Sequence, residues 1–454
     1  MRIHKRKGKM GMPVKVGMVS LGCPKNQVDA ERMMSALRAD GFELIQDAAL
    51  ADVAVINTCG FIQSAKEEAI ETILEFLELK KEGRVKHVIC TGCLAERYKD
   101  EILSELPGLD AVVTLGKDGE LAKIVKEIAG GSEKHIFSAD KYDLPLEGGR
   151  IISTQPFYAY LKIAEGCSNC CTYCAIPAIR GRFRSVPMET VLEEARKLAE
   201  NGVTELVVVA QDTSRYGEDI YGESRIAELL TELCKIDGFR WIRTLYMYPE
   251  RITDKLIDTI AREEKLVKYL DIPIQHCNGE VLKRMNRKGD RETLTALMKK
   301  LRERIPGITL RTTLITGFPG ETEEQFEELS EFVNEIRFDR LGCFAYSAEE
   351  GTPAASYPDQ IDEEEKQRRA DVIMEQQMFI NDELNQAKLG QTVEIVVEGF
   401  DRYAECCFGR SAADAPEIDG KVFFTSPKKL TAGDYVKVKI EEMLDLDLFG
   451  TIAE

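Results

Sequence analysis

Apolar runs of strand length alternate with helix-period segments in the first third of the chain. Alternation of this kind is typical of a parallel sheet covered by helices. Strands joined by right-handed crossovers all end at one edge of such a sheet. We therefore expect an open α/β domain over residues 14–130. Its predicted strands are Lys15–Ser20, Ala51–Asn57, Lys86–Cys90 and Ala111–Thr114, and helices begin near Gln27, Gln63 and Ala95.

A polar segment with two glycine pairs follows, and it predicts a linker over residues 131–156. Six strand–helix units come next, over residues 157–387. Six units are too few to close an eight-stranded barrel, so we expect an open, partial (βα)6 TIM-like barrel with its site at the carboxyl ends of the strands. The predicted strands are Tyr158–Ile163, Glu205–Ala210, Trp241–Tyr246, Tyr269–Ile274, Thr309–Ile315 and Leu341–Tyr346.

From Leu389 the pattern changes to short strands separated by turns, which predicts a small antiparallel β-barrel over residues 388–454. The predicted strands are Thr392–Glu398, Lys421–Thr425 and Tyr435–Ile440. Residues 390–454 contain seven basic and thirteen acidic side chains. A negative surface repels a phosphate backbone and attracts a basic polypeptide. The charge therefore favours a basic protein partner over RNA.

Composition narrows the class of protein. The 454 residues carry a net charge of -18, and no apolar run approaches the length of a membrane span, about 18 residues. The basic start, Met1–Lys9, is not followed by a secretory apolar segment. We therefore expect a cytoplasmic protein without membrane contact. Thirteen cysteines spread through a chain of this size indicate metal ligands more than a disulfide framework.

Three cysteines lie close together directly after the first strand of the predicted partial barrel, in the spacing Cys167-x3-Cys171-x2-Cys174. Three thiolates can hold three corners of a 4Fe-4S cube and leave the fourth iron open for a ligand. A zinc site is the alternative, but only Cys170 stands nearby as a fourth ligand. We expect Cys170 to point away from its neighbours as a free thiol.

Three further cysteines, Cys23, Cys59 and Cys93, each follow a predicted strand of the first domain. If that sheet is parallel, their turns meet at the binding edge of the sheet. They then form a second three-cysteine site for a cluster with an open iron. Buried free cysteines are the alternative for each of them. Cys90 lies within its strand, and we expect it in the core.

The cysteine spacing, with Tyr173 just before the last cysteine, resembles the radical S-adenosylmethionine (SAM) superfamily. The resemblance implies that the open iron binds SAM, that an electron from the cluster cleaves it to a 5'-deoxyadenosyl radical, and that Tyr173 lies near the adenine. The run Thr316-Gly-Phe-Pro-Gly-Glu321 resembles the glycine-rich cofactor turn of this superfamily, with Gly317 and Gly320 as contacts. An ordinary loop is the alternative.

Side chains near these motifs leave further alternatives open. Gln275 and His276, at the end of the fourth predicted strand, either contact cofactor or substrate or belong to a satisfied barrel mouth. Arg180, Arg182 and Arg184 either hold a carboxylate or form a solvated face.

The order of the three parts resembles the methylthiotransferases across nearly the whole chain. This family implies two 4Fe-4S clusters and SAM as cofactors. The Cys167 cluster would generate the radical, the Cys23 cluster would carry the sulfur, and a second SAM would supply the methyl group. A TRAM-like barrel for substrate recognition and an electron donor such as flavodoxin or ferredoxin are also implied.

Several stretches resemble the RimO-type branch of this family, which modifies the β-carbon of an aspartate in small-subunit ribosomal protein number twelve, a basic substrate. They include Ser20-Leu-Gly-Cys-Pro-Lys-Asn26, Pro273-Ile-Gln-His276 and the acidic run Asp414-Ala-Pro-Glu-Ile-Asp419. The MiaB-type branch, which modifies an adenosine in tRNA, is the alternative. An iron–sulfur scaffold or redox protein without radical chemistry is a third hypothesis.

Overall fold

The computed structural model describes residues 13–444 and 447–453 of the chain. The basic start Met1–Lys9 and two of the acidic residues counted above, Asp445 and Glu454, lie outside the described residues. The chain divides into two compact units, with the boundary between Ile151 and Ile152. In the described part, no helix is both long enough and apolar enough to cross a membrane.

The first unit is built around a six-stranded sheet in the order β2-β1-β3-β4-β5-β6, with every neighbouring pair parallel. The predicted parallel α/β class is confirmed. Two short edge strands, β2 and β6, were not predicted, and β6 comes from the segment expected as a linker. The strands are β1 Lys15–Ser20, β2 Glu43–Ile45, β3 Val53–Thr58, β4 His87–Gly92, β5 Ala111–Val113 and β6 Ile136–Phe137; the helices are α1 Pro24–Ala39, α2 Gln63–Lys81, α3 Cys93–Glu105 and α4 Leu121–Ala129.

Both faces of this sheet are buried, because successive side chains of a strand point to opposite faces. In β3, Val53 and Val55 pack into the core that contains α1 and α4. Their neighbours Ala54 and Ile56 pack into the core that contains α2 and α3. The continuous apolar run of β3 therefore follows from its central place in the sheet.

The second unit begins with an open, six-stranded parallel sheet in the order β7-β10-β11-β12-β13-β14. It is the predicted partial barrel. A two-residue antiparallel pair, β8 with β9, lies at the base of the cysteine loop. The strands are β7 Tyr158–Lys162, β8 Ala164–Glu165, β9 Arg184–Ser185, β10 Glu205–Val209, β11 Trp241–Thr244, β12 Leu266–Asp271, β13 Thr309–Thr316 and β14 Arg340–Ala345.

Nine helices connect and cover these strands in the described part of the second unit. They are α5 Ile176–Arg180, α6 Met188–Glu200, α7 Glu218–Tyr221, α8 Ile226–Cys234, α9 Asp254–Arg262, α10 Gly279–Arg284, α11 Arg291–Arg304, α12 Glu323–Ile336 and α13 Glu363–Gln386.

The remaining strands close into a five-stranded barrel in the order β15-β16-β17-β19-β18. The β-barrel was predicted, but β16 and β19 were missed, and the β17–β19 pair is parallel rather than antiparallel. The strands are β15 Thr392–Asp401, β16 Cys406–Ser411, β17 Val422–Thr425, β18 Tyr435–Leu444 and β19 Asp447–Ile452.

This small barrel packs against the amino ends of the parallel strands, opposite the end that carries the cysteine loop. The buried Glu205, first residue of β10, accepts a hydrogen bond from Arg410 Nη2 of β16 at 2.7 Å and one from Arg243 Nε at 3.1 Å. Arg410 also donates to Glu398. Glu205, Arg243 and Arg410 are fully buried, so a buried ion-pair network joins the two parts of the second unit.

The acidic run that follows β16 belongs to the same contact. Asp414 accepts a hydrogen bond from Arg340 at 2.6 Å, and Asp419 accepts one from the Tyr269 hydroxyl at 2.7 Å. Both carboxylates are almost completely buried. Asp414 and Asp419 therefore add little to the negative surface inferred from the charge count, because Asp414 pairs with Arg340 and Asp419 lies 3.7 Å from Arg311 Nε.

Candidate active site

The first candidate site is the loop of residues 166–183, at the carboxyl end of β7. Cys167 N donates to Gly181 O at 3.1 Å, and Cys174 N donates to Cys171 O at 3.1 Å. The three thiols Cys167, Cys171 and Cys174 lie near enough for their charges to interact. The structure thus brings the three predicted ligands together on one tight loop.

A buried carboxylate fastens both ends of this loop. Glu165, directly before the loop, accepts from Lys162 Nζ at 2.7 Å and from Arg180 Nη1 at 3.0 Å. It also accepts from the backbone N–H of Gly166 at 2.9 Å. Burial would raise the pKa of Glu165, but Arg180 and Lys162 outweigh burial and hold it well below its usual range. Arg180 is therefore a buried internal partner of Glu165 and not part of a solvated face.

Cys170 behaves as expected for a residue outside the ligand set. Its side chain is exposed, and its backbone lies in the left-handed region with φ of 52°. The Asn286 side chain holds this turn by donating to the Asn169 and Cys170 carbonyl oxygens, at 3.2 and 2.9 Å. The unusual turn at Cys170 allows Cys171 to point inward while Cys170 points outward.

Three side chains surround the Cys171 sulfur. The Tyr248 hydroxyl lies 2.7 Å from Cys171 Sγ, and Arg287 Nη1 lies 4.0 Å from it. The Arg287 guanidinium also stacks on the Tyr248 ring, 4.0 Å from its centroid, and reaches the Tyr173 hydroxyl at 3.4 Å. Arg287 is only 7% exposed. No carboxylate pairs with it in the described part of the chain, so it presents an unneutralised positive charge to the site.

The donor set fits an iron–sulfur cluster. Burial raises the pKa of Cys167 to about 12 and also raises the pKa of Cys174. A metal ion bound to these sulfurs would supply the positive charge that stabilises the thiolates. No three His, Cys, Asp or Glu side chains in the described residues are arranged to hold a single metal ion. That arrangement is not what a cluster requires, because its cysteines bind different iron atoms.

The residues expected to contact SAM lie at the same end of the partial barrel. Gln275 is buried in the left-handed region with φ of 70°, and its backbone pairs with β13. Non-glycine residues in this region carry strain and are concentrated at functional sites. Tyr246, at the end of β11, has φ of 62° and was missed from the sequence. Contact of Tyr173 and Gln275 with SAM stays a prediction.

Packing and backbone conformation explain the glycines in the turn after β13. Gly317 has φ of +71°, and a Cβ atom there would lie 2.3 Å from Lys366 Cγ of α13. Close packing of α13 therefore accounts for Gly317 without a ligand. Gly320 has φ of +74°, and its carbonyl oxygen accepts from Arg284 at 3.0 Å. Cofactor contact at Gly317 and Gly320 also stays a prediction.

His276 belongs to the interior rather than to the open site. It is 0% exposed, its Nδ1 accepts from Asn278 N at 2.9 Å, and its Nε2 lies 3.7 Å from Glu321 Oε2. Burial, with Arg284 and Arg369 nearby, lowers the pKa of His276 to about 3. The imidazole is therefore neutral at neutral pH.

This burial predicts a pH-dependent stability. From an ordinary pKa of 6.5 down to about 3, the unfolded chain binds a proton on His276 that the folded chain does not. The contribution of His276 is therefore complete above pH 6.5 and is lost as the pH falls, by about 1.4 kcal/mol per pH unit. As the pH falls to about 5, the free energy of unfolding should drop in both proteins. We expect the drop to be roughly 2 kcal/mol smaller in His276→Asn than in the unmodified chain. Urea denaturation across this range tests the prediction, and parallel curves for the two proteins would contradict it.

The second candidate site lies in the first unit, where three adjacent strands end. Cys23 is the N-cap residue of α1 after β1, Cys59 follows β3, and Cys93 begins α3 after β4. A Cβ atom at Gly22 would lie 2.9 Å from Cys59 Sγ, so the Cys23 and Cys59 turns are in contact. Cys23 and Cys93 also lie at helix amino ends, where the helix dipole favours an anionic ligand. The predicted convergence of these turns is present in the structure.

Two buried amides join these turns, and no sequence pattern indicated their role. Asn26 Nδ2 donates to Leu21 O at 2.8 Å and to Thr58 O at 3.3 Å. Asn57 Nδ2 donates to Asn26 O at 2.8 Å. Both side chains are fully buried. Because each amide satisfies carbonyl groups from a different turn, the pair fixes the spacing of the turns that carry Cys23 and Cys59.

Three protein-family models match three successive parts of the chain. The radical SAM superfamily model matches residues 161–333, and the TRAM domain model matches residues 389–453. Residues 15–114 match the model described as uncharacterized protein family UPF0004.

The full length of the chain resembles proteins named ribosomal protein uS12 methylthiotransferase RimO. The protein from Clostridioides difficile strain 630 is 49% identical, over 97% of this chain and 99% of its own length. The chain belongs to the RimO family. A second RimO protein, from Desulforamulus reducens, is 47% identical over 97% of this chain and 99% of its own length. The MiaB-type alternative is not favoured by these relatives.

Among solved structures, the RimO-family chain resembles the radical SAM methyltransferase TsrM from Kitasatospora setae, determined with cobalamin and a [4Fe-4S] cluster bound. The TM-score is 0.57, with 15% sequence identity, over 76% of this chain and 77% of that one. Identity this low shows a shared fold alone.

Besides Tyr246 and the two buried amides, four residues near the first cysteine loop were missed by sequence reasoning: Glu165, Tyr248, Asn286 and Arg287. Glu165 stands next to the cysteine loop, and its acidic side chain directly before Gly166 was a usable signal. Tyr248, Asn286 and Arg287 come from distant segments, and only folding brings them to Cys171 and its loop.

Proposed function

We propose that this chain is a radical SAM methylthiotransferase that replaces C–H by C–S–CH3 at the β-carbon of an aspartate in ribosomal protein uS12. The observation that carries the proposal is the presence, in one chain, of two three-cysteine sites, each where parallel strands end. Three ligands leave one iron of a 4Fe-4S cluster open. The substrate follows from the names of the RimO relatives.

In this proposal, Cys167, Cys171 and Cys174 hold one 4Fe-4S cluster, and Cys23, Cys59 and Cys93 hold the other. With SAM bound, the first cluster supplies the radical chemistry that breaks an unactivated C–H bond, and the second serves sulfur delivery. Glu165 keeps the first loop in place through its contacts with Lys162 and Arg180. Tyr173, Gln275, Gly317 and Gly320 remain our candidates for SAM contact.

The buried Arg287 has a defined role in this arrangement. An isolated buried cation is costly unless a negative group compensates it. The polar groups beside it in the described part of the chain are the Cys171 sulfur, the Tyr173 hydroxyl and the Pro273 carbonyl oxygen, and it stacks on the Tyr248 ring. We assign Arg287 to compensation of the negative charge that thiolate ligands bring to this loop.

We propose one role for each domain, within the boundaries predicted above. Residues 14–130 carry the auxiliary cluster, 157–387 carry the radical chemistry, and 388–454 recognise the substrate. The predicted linker 131–156 is corrected, because β6 lies within it and the first unit continues to Ile151. Since Asp414 and Asp419 are neutralised internally, recognition of a basic protein falls to exposed carboxylates of the small barrel such as Glu405, Glu441 and Glu442. A ribosomal protein substrate would place the enzyme in the cytoplasm, as the sequence predicts.

Mass spectrometry of two alternative substrates, each incubated separately with the protein, tests the proposed function. The reconstituted protein is incubated with SAM and a reductant, once with uS12 and once with tRNA. We expect uS12 alone to gain the mass of one sulfur and one methyl group in place of one hydrogen, on an aspartate. Modification of tRNA alone would overturn the substrate assignment, and formation of no 5'-deoxyadenosine would favour an iron–sulfur scaffold.

A further inference from the structure

A cationic pocket lies beside the first cysteine loop. Its volume is about 500 Å³, and Ser168 and Asn169 of the loop form one part of its wall. The described residues that line it include five cations and a single carboxylate, Glu250. The cations are Arg215, Arg251, Lys283, Arg287 and Lys288.

Three of these cations lack a neutralising carboxylate. Arg215 and Arg251 both pair with Glu218, and Arg251 also lies 3.8 Å from Asp212. Lys283 and Lys288 are exposed, and the described part of the chain offers no ion pair to either. Arg287 is buried, likewise without a carboxylate. Since the whole chain carries a net charge of -18, this is a local reversal of sign.

The wall of this pocket touches a ligand of the proposed cluster. Tyr248 lines the pocket and places its hydroxyl 2.7 Å from Cys171 Sγ. Arg287 lines it as well and approaches the same sulfur at 4.0 Å. The pocket is therefore a surface region from which a bound redox partner reaches the cluster loop across a single layer of side chains.

We propose that the rim of this pocket, formed by Lys283 and Lys288, is the docking surface of an acidic electron-transfer protein. The inference rests on the proposed function, since radical SAM chemistry needs an external electron donor. Charge complementarity selects the partner, because this rim attracts an acidic protein and repels the basic ribosomal substrate. Docking forms no covalent bond: the donor is oxidised by one electron, and the iron–sulfur centre is reduced by one.

The test is a charge reversal, Lys283→Glu with Lys288→Glu. Both side chains are exposed, so folding is not at risk. Oxidised flavodoxin is the probe, and its Kd for the reconstituted protein is measured by titration calorimetry at low and high salt. We expect the double variant to bind roughly tenfold more weakly at low salt, and the difference to vanish at high salt.

A matched control reverses the same number of charges elsewhere, with Lys197→Glu and Lys235→Glu. These lysines lie at the carboxyl ends of α6 and α8, which lead to the opposite end of the partial barrel. Their pairs with Glu193 and Glu232 are exposed, so little stability is lost. The control variant is expected to bind flavodoxin as the unmodified protein does.

A second readout compares two reductants. Cleavage of SAM driven by flavodoxin is expected to fall in the Lys283/Lys288 variant, whereas cleavage driven by dithionite, a small reductant that needs no docking surface, is expected to stay unchanged. Equal Kd values for the test and control variants would overturn the proposal. Equal losses with both reductants would also overturn it, and would assign the pocket to cofactor or substrate. Failure of the proposed function would appear separately, as absence of methylthio transfer in the unmodified protein with dithionite.

Discussion

Cys171→Ala is expected to reduce SAM cleavage to background, because it removes one of the three ligands that hold the first cluster and leaves Tyr248 and Arg287 without the sulfur they contact. Cys59→Ala is expected to leave cleavage intact and to stop sulfur insertion, because Cys59 belongs to the separate site of the first unit. Formation of 5'-deoxyadenosine and methylthio transfer to uS12, measured on the same samples, distinguish the two variants.

Iron and sulfide analysis supplies the control for this pair. Each variant should retain about half of the iron of the unmodified protein after anaerobic reconstitution, since one of two 4Fe-4S clusters is lost. Cys90→Ala is a matched cysteine variant outside both sites. Its thiol is buried in the sheet core, where burial raises its pKa to about 12, and it should retain all the iron. Methylthio transfer by Cys59→Ala would refute the role of the first unit, and zinc in place of iron would refute both sites.

Arg410→Ala is expected to destabilise the second unit by about 3–5 kcal/mol, because removal of one partner leaves buried charges uncompensated. Arg410 is 1% exposed and pairs with Glu205 and Glu398. The substitution leaves Glu398 without this partner and leaves Glu205 with Arg243 alone. Denaturant unfolding of the purified variant measures the loss.

Arg240→Ala is the matched control, because the Arg240–Glu394 pair also joins the partial barrel to the small barrel but is largely exposed. An exposed pair contributes about 0–1 kcal/mol, so this variant should unfold nearly as the unmodified protein does. If the two arginine variants were equally stable, the buried network would not be what joins these parts.

The strands and helices predicted from the sequence were those with a strong pattern of hydrophobic residues. The central strands β1, β3 and β4 were predicted within two residues, because strands buried on both faces are continuously apolar. The edge strands β2 and β6 were missed because they have three and two residues and lack the fully buried apolar run that marks β5, which also has three residues. Strands so short carry no period of their own, and they form because an adjacent strand offers free backbone groups.

The acidic residues between β16 and β17 show what a charge count leaves out. The charge of residues 390–454 predicts a surface for a basic partner, whereas Asp414 and Asp419 are buried against Arg340 and Tyr269 of the partial barrel. A charge count from the sequence does not show which charged residues are paired inside the fold. Substrate recognition therefore has to be sought among the carboxylates that remain exposed.

The sequence by itself predicted the two cysteine sets, the first from its local Cys-x3-Cys-x2-Cys spacing and the second from the place of each cysteine directly after a predicted strand. Parallel topology then followed from alternating strands and helices, and with it the meeting of Cys23, Cys59 and Cys93 at one edge. Only the tertiary structure decided what surrounds the sulfur of Cys171. Tyr248 and Arg287 are 77 and 116 residues away along the chain, and no local pattern encodes a contact that depends on how whole strands are placed.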